Sequence, residues 1–269
     1  MFITIITDCK SENDFGRQTT RFASLFSCTV NTVGVSSFLN SSVAELEAAG
    51  NLIDVLDAGE GKEGIVAVNV APRGGTQKKW LNGTPFCFFK YEKTLVVSTY
   101  EGLTLSLIKK LNLIQHVNLT DIPTVMAFAS SEGLVNKETA DYIENTQFRS
   151  YEYLPKLAKW VHEGIEIPSK EVSINEIATV PSCVWYIDSF GNCKTTLLPE
   201  ELEIVQGYVN TKLGKIKLYE RLKDVPHGET GIFTGSSGIK DKRFIEIGVQ
   251  RENGSKILNL SVGDEIVGS

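Results

Sequence analysis

Residues 187–196 read IDSFGNCKTT and place a dense set of polar groups directly after an apolar run, CVWY. Within one turn, Asp188, Phe190 and Asn192 offer a carboxylate, an aromatic face and an amide. These groups suit a zwitterion such as an amino acid, with the Asp188 carboxylate on its ammonium group. A β-hairpin with a tight turn at Gly191-Asn192 is the alternative. It explains the glycine, but it does not explain an aspartate at the end of so apolar a strand.

Two other places in the sequence offer polar groups after a predicted strand. Asp8 follows the apolar run at 2–6, and ligands of open α/β sheets lie beyond the carboxyl ends of strands. Its carboxylate can accept both hydroxyls of a ribose, or it can cap the turn that follows. Ser236 and Ser237 lie in a GSSG segment whose hydroxyl and amide groups could hold a carboxylate. A hairpin loop is the simpler interpretation of that segment.

The segment APRGGTQKKW at 71–80 is Gly-rich and basic, and it also follows a predicted strand. It could cradle phosphate, but it lacks the Gly-Lys-Ser/Thr of a P-loop, and a surface loop is the simpler interpretation. His116, His162 and His227 stand beside no serine or cysteine nucleophile with the spacing of a hydrolase triad. With no CxxC pair and no His/Cys cluster, the sequence predicts no metal site.

Composition narrows the class of protein further. The 269 residues carry a formal charge of -6, and an acidic surface repels phosphate backbones, which argues against a nucleic-acid partner. No apolar run approaches the roughly 18 residues of a membrane span. The first residues lack the basic flank and cleavage site of a signal peptide. Five cysteines without such a signal predict reduced thiols in the cytoplasm.

The elements that must position these residues divide the chain in two. In the first part, strands alternate with helices, which is typical of a mostly parallel sheet with flanking helices. Ser42 to Glu45 has the pattern of a capping box, and it predicts a helix that runs to about Leu56. The other predicted helices lie at 14–26, 102–111 and 151–162, and the predicted strands at 2–7, 64–70, 85–90, 94–98 and 123–129.

The second part has almost no helical pattern. Residues 166–181 carry two prolines and scattered charge, which suggests a linker. Short strands are predicted at 183–188, 203–209, 213–219, 230–235, 243–249 and 256–260. The prediction is therefore an α/β protein: a domain at 1–165 with a layered, mostly parallel sheet and flanking helices, a linker at 166–181, and a small antiparallel β-barrel at 182–269.

Taken together, these features resemble the S-adenosylmethionine (SAM) hydroxide adenosyltransferases, relatives of the bacterial fluorinase and chlorinase. The resemblance covers nearly the full chain, and its strongest parts are IDSFGNCKTT and the C-terminal pattern GSSG…FIEIGV…NGS…LSVGDEIV. It implies that a nucleophile displaces methionine from the 5′-carbon of the adenosyl group. With hydroxide as nucleophile, the products are adenosine and L-methionine. SAM is then a substrate or ligand, and no cofactor is expected.

The resemblance also implies roles for individual residues. Asp8 matches the aspartate that holds the ribose hydroxyls, and Asp188 matches the one that meets the methionine ammonium group. Phe190 and Asn192 match an aromatic ring and an amide that contact the adenosyl group. Three further matches complete the substrate-binding set: Ser236 and Ser237 for the methionine carboxylate, and the Asn253-Gly254 pair for adenine.

The sequence departs from the family where water is activated. The aspartate of the Gly-rich loop is Ala71 here, and an arginine a few residues on is Lys78. A Phe-His-Gly-Arg-Asp stretch reads Phe148-Arg149-Ser150-Tyr151-Glu152, without its histidine. The catalytic residues are therefore unknown, and Arg73, Lys78 or Arg149 could form a positive pocket for another anion. A Pro-Asp-Asn-Gly motif of the family likewise reads Thr-Tyr-Glu-Gly at 99–102.

Three functions follow from this mixture of matches and departures. The chain cleaves SAM; or it binds adenosyl compounds without catalysis; or it keeps the fold and uses another nucleophile or ligand. The resemblance further implies a homotrimer with sites at subunit interfaces, and a small-molecule adenosyl ligand rather than a nucleic acid or a membrane as the partner.

Overall fold

The structure is a computed structural model, and it describes residues 1–37, 42–70, 72 and 84–267. The chain divides into two compact units, Met1–Ala178 and Thr179–Ser269. No helix in the described part of the chain is long and apolar enough to cross a membrane. All five cysteines are free thiols.

The first unit is built on one sheet, which has seven strands in the described residues, in the order β2-β1-β3-β5-β4-β6-β7. Pairing is parallel from β2 through β5, and β4, β6 and β7 add antiparallel pairs. Its strands are β1 (Phe2–Thr7), β2 (Asn31–Gly34), β3 (Gly64–Asn69), β4 (Phe86–Tyr91), β5 (Thr94–Thr99), β6 (His116–Leu119) and β7 (Lys170–Ser173).

Helices accompany this sheet along the chain. They are α1 (Glu12–Phe26), α2 (Val43–Ala58), α3 (Ser106–Lys110), α4 (Ile122–Ser131), α5 (Lys137–Asn145), α6 (Arg149–Glu152) and α7 (Leu154–His162). Ile65 and Ala67 of β3 lie in a core cluster with residues of α1, α4, α5 and α7. Val66 and Val68, on the opposite face of β3, are fully buried as well. Strands that are buried on both faces explain the continuous apolar runs of the sequence.

The predicted strand at 123–129 was wrong, because this segment forms the helix α4. Asp121 caps it: its side chain accepts a hydrogen bond from the Thr124 N–H at 3.1 Å. Pro123 is tolerated because the first helical turn has no use for its missing N–H. Periodicity could not distinguish a strand from a helix in so short an apolar run, and the Asp121 cap is the feature that indicates a helix.

The predicted capping box at Ser42 to Glu45 does not form, although the helix does. Ser42 makes no side-chain cap bond, and Glu45 turns inward, where it is only 6% exposed. Its Oε2 accepts a hydrogen bond from the Leu103 N–H at 2.7 Å. Gly102 permits this close approach, since a Cβ there would lie 2.0 Å from Oε2. The Glu45 side chain therefore bonds to Leu103, a residue distant in the chain, instead of capping its own helix.

The segment predicted as a linker, 166–181, contains β7. This strand pairs antiparallel with β6, with Val117 opposite Val172, and a short 3-10 helix follows at Ile174–Glu176. The first unit therefore runs to Ala178 rather than to residue 165. The pattern of this four-residue edge strand is too short to stand out among the prolines and charges around it.

The second unit is also built on one sheet, with seven strands in the part that is described, in the order β10-β11-β12-β13-β14-β9-β8. The strands are β8 (Val184–Ile187), β9 (Cys193–Thr195), β10 (Ile204–Val205), β11 (Tyr208–Thr211), β12 (Gly214–Leu218), β13 (Thr230–Ile239) and β14 (Lys242–Val249). All neighbouring pairs are antiparallel except β12 and β13. One face carries the core, which includes Cys193, Ile232, Ile245 and Ile247.

The predicted barrel is found only as this sheet, since the strand pairings of the described residues do not close it. The strand expected at 256–260 is absent there. Asn253 caps a short helix, α8 (Gly254–Ile257), and a turn follows. The chain then runs back beside β8, where the Val184 N–H donates to the Asp264 carbonyl oxygen at 2.9 Å. The cap at Asn253 thus turns the last segment into a helix instead of a closing strand.

Glu45 provides a test of the first unit, because burial raises the pKa of its carboxyl group. A raised folded-state pKa stabilises the protein at pH below the unfolded value, and this stabilisation is lost as pH rises through the folded value. We therefore expect Glu45→Gln to gain stability relative to the parent as the pH goes from 4 to 7, because the amide still accepts from Leu103. Thermal unfolding midpoints measure this, with exposed Glu63→Gln as control. An equal pH dependence of parent and Glu45→Gln would contradict the burial argument.

Candidate functional site

The Asp188 carboxylate organises the turn between β8 and β9. Its Oδ1 accepts hydrogen bonds from the Phe190 and Asn192 N–H groups, both at 2.9 Å, and its Oδ2 accepts from Asn192 Nδ2, also at 2.9 Å. The backbone closes the same turn, since the Gly191 N–H donates to the Asp188 carbonyl oxygen at 3.0 Å. The segment is therefore a hairpin turn, and the aspartate is present because its carboxylate stabilises that turn.

This use of Asp188 still leaves acceptor capacity on its carboxylate. A carboxylate offers about four acceptor positions, and the three donors above occupy most of them. Two of the three bonds are on Oδ1, so the remaining capacity lies on Oδ2. Asp188 is half-buried, so a ligand ammonium group can still reach that oxygen.

Phe190 stands at the tip of the turn with its side chain 76% exposed. It lines a cavity of about 570 Å³ together with Asn192 and Asn253; the rest of the lining is Leu222, Val249, Gln250, Arg251 and Glu252. A large aromatic side chain held out on a hydrogen-bonded turn has no packing role in this unit. It presents a flat apolar face to the cavity.

Asn253 and Gly254 pack directly on the turn. A Cβ at Gly191 would lie 2.5 Å from Asn253 Oδ1, and the Ser255 N–H donates to the Gly191 carbonyl oxygen at 2.8 Å. Asn253 Oδ1 is itself fixed, because it accepts from the Lys256 N–H at 3.0 Å as the cap of α8. The structure thus brings together Phe190, Asn192, Asn253 and Gly254.

Ser236 and Ser237 do not lie in a hairpin loop, as the simpler interpretation had it, but inside β13. The pairing of β13 with β14 shifts register between Thr234 and Gly238, so the serines form a bulge. Ser237 is 1% exposed, and its Oγ accepts a hydrogen bond from Lys194 Nζ at 2.7 Å. The Ser236 N–H donates to Glu246 Oε1 at 3.2 Å. Bulges of this kind often re-aim side chains next to functional sites.

Cys193 lies in the same motif but is not a candidate nucleophile. It is fully buried, and burial raises the pKa of its thiol to about 12. A thiolate, which is the reactive form, is therefore negligible at neutral pH.

Asp8 belongs to the first unit and follows β1, where the sequence predicted it. It is 5% exposed, and its carbonyl oxygen accepts from Ser37 Oγ at 3.0 Å. Neighbouring side chains at the same edge of the sheet include Asn69, whose Nδ2 donates to Thr7 Oγ1 at 3.2 Å. The end of β1 is therefore polar and buried.

The resemblance implies three positions that activate water. Two of them, Ala71 and Lys78, lie outside the described residues, as does Arg73. The third falls at Phe148 or Arg149, and both of these residues are described. Phe148 is 47% exposed and precedes α6. Arg149 is half-buried, its Nη1 donates to the Thr84 carbonyl oxygen at 2.8 Å, and its guanidinium lies 5.8 Å from the centroid of the Phe86 ring. Burial lowers the pKa of Arg149. This arginine has a structural task.

Sequence reasoning missed Lys194, which connects β9 to the bulge. Strand alternation was the available signal, since residues 192 and 194 of one strand point to the same face. No group of three or more His, Cys, Asp or Glu side chains that could hold a metal ion occurs in the described ranges.

Gly191 provides a test of this arrangement, because its φ of 88° and its contact with Asn253 both exclude a side chain. We expect Gly191→Ala to destabilise the protein by more than the roughly 1–2 kcal/mol that a left-handed conformation costs. Gly207→Ala is the matched control, since Gly207 has a φ of 80° and nothing within 4 Å of a Cβ. Urea unfolding measures both. Equal losses would mean that the contact with Asn253 contributes nothing.

Comparison with solved structures shows that the fold is shared along the whole chain. One similar structure is an uncharacterized conserved protein from Thermotoga maritima, with a TM-score of 0.66 and 16% identity over 98% of both chains. Another is a conserved hypothetical protein from Thermus thermophilus, with a TM-score of 0.56 and 17% identity over 98% of this chain and 97% of that one. At such identities the likeness shows the fold alone.

Comparison with family models finds a match for the second unit only. No curated protein matches the chain by sequence. Residues 182–267 match the model of the SAM hydroxide adenosyltransferase C-terminal domain. This range contains the Asp188 turn, the bulge of β13 and the Asn253 cap. The second unit is therefore similar to the SAM hydroxide adenosyltransferase C-terminal domain, and this match supports a SAM-related family.

Proposed function

We propose that this protein binds SAM and cleaves it with hydroxide to adenosine and L-methionine. The observation that carries the proposal is the cavity of about 570 Å³ in the C-terminal unit, with the exposed ring of Phe190 on its wall. The family of the C-terminal domain supports the choice of ligand.

In this proposal, different residues contact different parts of the ligand. The Phe190 ring offers a stacking surface for adenine, and such stacking of a base on an aromatic side chain contributes about 1–3 kcal/mol. Asn253, which is held as a helix cap beside the turn, contacts the adenine in this proposal. Oδ2 of Asp188 receives the ammonium group of the methionine part. In the homotrimer proposed below, the Asp8 carboxylate of a neighbouring subunit takes the ribose hydroxyls.

The reaction itself needs little acid–base chemistry. Hydroxide attacks C5′ of the adenosyl group, and the C5′–S bond breaks as the C5′–O bond forms. The electron pair of the broken bond stays on sulfur, so the sulfonium becomes the neutral thioether of methionine. Since the leaving group departs uncharged at sulfur, the protein must orient the ligand and present a nucleophile in line.

A second candidate is binding of adenosyl compounds without cleavage. Phe148 and Arg149 stand where the resemblance implies a histidine of the water-activating set, and Arg149 is engaged with the Thr84 carbonyl oxygen and the Phe86 ring. An arginine stays protonated, so it cannot serve as general base in place of a histidine. Loss of general-base help slows a reaction by about 10²–10⁴-fold. A protein can therefore still bind SAM when its cleavage of SAM has become too slow to measure.

We further propose that the protein is a homotrimer, as the family resemblance implies, with its sites at subunit interfaces. Sedimentation velocity measures the mass directly. A stable monomer at micromolar concentration would contradict the assembly.

Phe190 provides the test of binding. We expect Phe190→Ala to weaken SAM binding about 5- to 100-fold, because the stacking surface is lost. Calorimetric titration measures the affinity. Tyr208→Ala is the matched control, since Tyr208 is an exposed aromatic residue of the same unit that lies outside the cavity. An unchanged affinity of Phe190→Ala would remove the cavity as the adenine site.

Cleavage is tested by incubating the protein with SAM at neutral pH and measuring adenosine and methionine by chromatography. We expect equal amounts of the two products above a protein-free control, and their loss in Asp188→Ala. Binding without product would instead favour the second candidate. Asp188 also holds the turn, so the folding of the variant is checked by its thermal unfolding.

A further inference from the structure

Another cavity, of about 480 Å³, lies in the first unit, between Tyr151 of α6 and one face of α1. The helix residues that line it are Asn13, Gly16, Arg17, Thr20, Arg21 and Ser24. Such positions, three or four residues apart, are neighbours on the surface of a helix. None of these residues belongs to the substrate-binding set of the proposed function, so the cavity has no task yet.

Arg17 is the central residue of this face, and it is held without using its hydrogen-bond donors. Its guanidinium carbon lies 4.2 Å from the centroid of the Tyr151 ring. An aromatic face attracts a cation through its π-electrons and takes up none of its donor hydrogens. Among the described residues, none accepts a hydrogen bond from the Arg17 side chain. The five N–H donors of a guanidinium therefore remain for a ligand.

The Tyr151 ring under Arg17 is itself fixed. Tyr151 is 8% exposed, and its hydroxyl donates to Asp14 Oδ1 at 3.0 Å. Burial raises the pKa of Tyr151 to about 12, so the hydroxyl keeps its proton, and its bond to Asp14, at neutral pH. Ser11 holds the same carboxylate from the other side, since its Oγ donates to Asp14 Oδ2 at 2.6 Å. Arg17 therefore lies on a support that is in place before any ligand arrives.

Positive charge exceeds negative charge around this cavity. Arg21 Nη2 lies 2.9 Å from Glu152 Oε1, and Lys156 Nζ lies 3.7 Å from Glu152 Oε2, so one carboxylate serves two cations. With Arg17 and Asp14 included, three cations stand against two carboxylates. The whole chain, in contrast, has a formal charge of -6. A local excess of positive charge on an acidic protein attracts anions to that place.

Two uncharged side chains beside Arg17 offer further donors. Thr20 lies three positions after Arg17 and Asn13 four positions before it, so both border it on the helix surface. Both are exposed, and neither side chain is hydrogen-bonded within the described part of the chain. Ser24 differs, because its Oγ donates to the Arg21 carbonyl oxygen at 3.0 Å. The available donors are therefore concentrated around Arg17.

We infer that Arg17, Arg21 and Thr20 bind the phosphate group of a small phosphorylated ligand. The inference goes beyond the proposed function and does not depend on it. A phosphate group at neutral pH carries nearly two negative charges and three strong acceptor oxygens. Two guanidinium groups and a hydroxyl match it in both charge and donors, and the fork of an arginine fits two phosphate oxygens at once. The cavity is larger than a phosphate group, which leaves room for the rest of a phosphomonoester.

Binding is tested by calorimetric titration with two probes, inorganic phosphate and glycerol 3-phosphate, at pH 7 and low ionic strength. We expect saturable binding of one equivalent per chain. In Arg17→Gln we expect the affinity to fall about 10-fold or more, the size that follows from hydrogen bonds to a charged group. Tighter binding of glycerol 3-phosphate identifies a phosphomonoester as the ligand, and equal or weaker binding identifies free phosphate.

Two further variants separate a site from a general effect of charge. Arg221→Gln is the matched control, because Arg221 is an exposed arginine of the second unit and its loss changes the net charge equally. Its affinities are expected to equal those of the parent. Arg17→Lys keeps the charge but loses the fork of donors, so its affinity is expected to lie between those of the parent and Arg17→Gln. Thermal unfolding without phosphate verifies that each variant is folded.

Two results would overturn the inference. If Arg17→Gln and Arg221→Gln lower the affinity by the same factor, phosphate responds to net charge alone and α1 carries no site. If the folded parent shows no saturable binding of either probe at millimolar concentration, the cavity does not bind phosphate. Neither result bears on the binding of SAM, which the Phe190→Ala variant tests at the cavity of the second unit.

Discussion

The Asp188 carboxylate is the constraint on which the candidate site depends. Three hydrogen bonds from the following residues make the turn between β8 and β9 a rigid unit. Because the turn is rigid, Phe190 can project into solvent without collapsing onto the sheet. Because the turn contains Gly191, the cap of α8 can pack against its backbone at a distance that no other residue permits. The Asp188 turn thus positions both the Phe190 ring and the Asn253 amide.

A second consequence concerns the sheet face beside the turn. β9 carries Asn192 and Lys194 to the side away from the core, and β14 carries Glu246 and Gly248 to the same side. Gly248 leaves room for the Asn192 amide, and the bulge of β13 gives Lys194 a hydroxyl partner. Polar groups on this face are therefore paired and oriented by contacts within the protein.

The proposed reaction depends on oriented polar groups of this kind. Sulfonium is a good leaving group without protonation, so recognition of the ligand matters more than acid catalysis. The Asp188 turn, the cavity and the bulge of β13 lie in the C-terminal domain, which is the part of the chain that matches the family model. In the first unit, Arg149 donates a hydrogen bond to the Thr84 carbonyl oxygen.

The sequence by itself determined the secondary-structure elements with a strong hydrophobic periodicity and the residues of the candidate site motifs. The apolar runs at β1, β3 and β5 and the IDSFGN segment were identifiable because burial and turn formation there are local properties of the chain. The sequence did not determine the helix at Ile122–Ser131, the strand at Lys170–Ser173 or the inward turn of Glu45, since a distant partner decides each one. Only the tertiary structure could place Lys194 beside Ser237, because that contact joins residues 43 positions apart in the chain. Local pattern fixes which side chains are available, and long-range pairing of strands decides which of them meet.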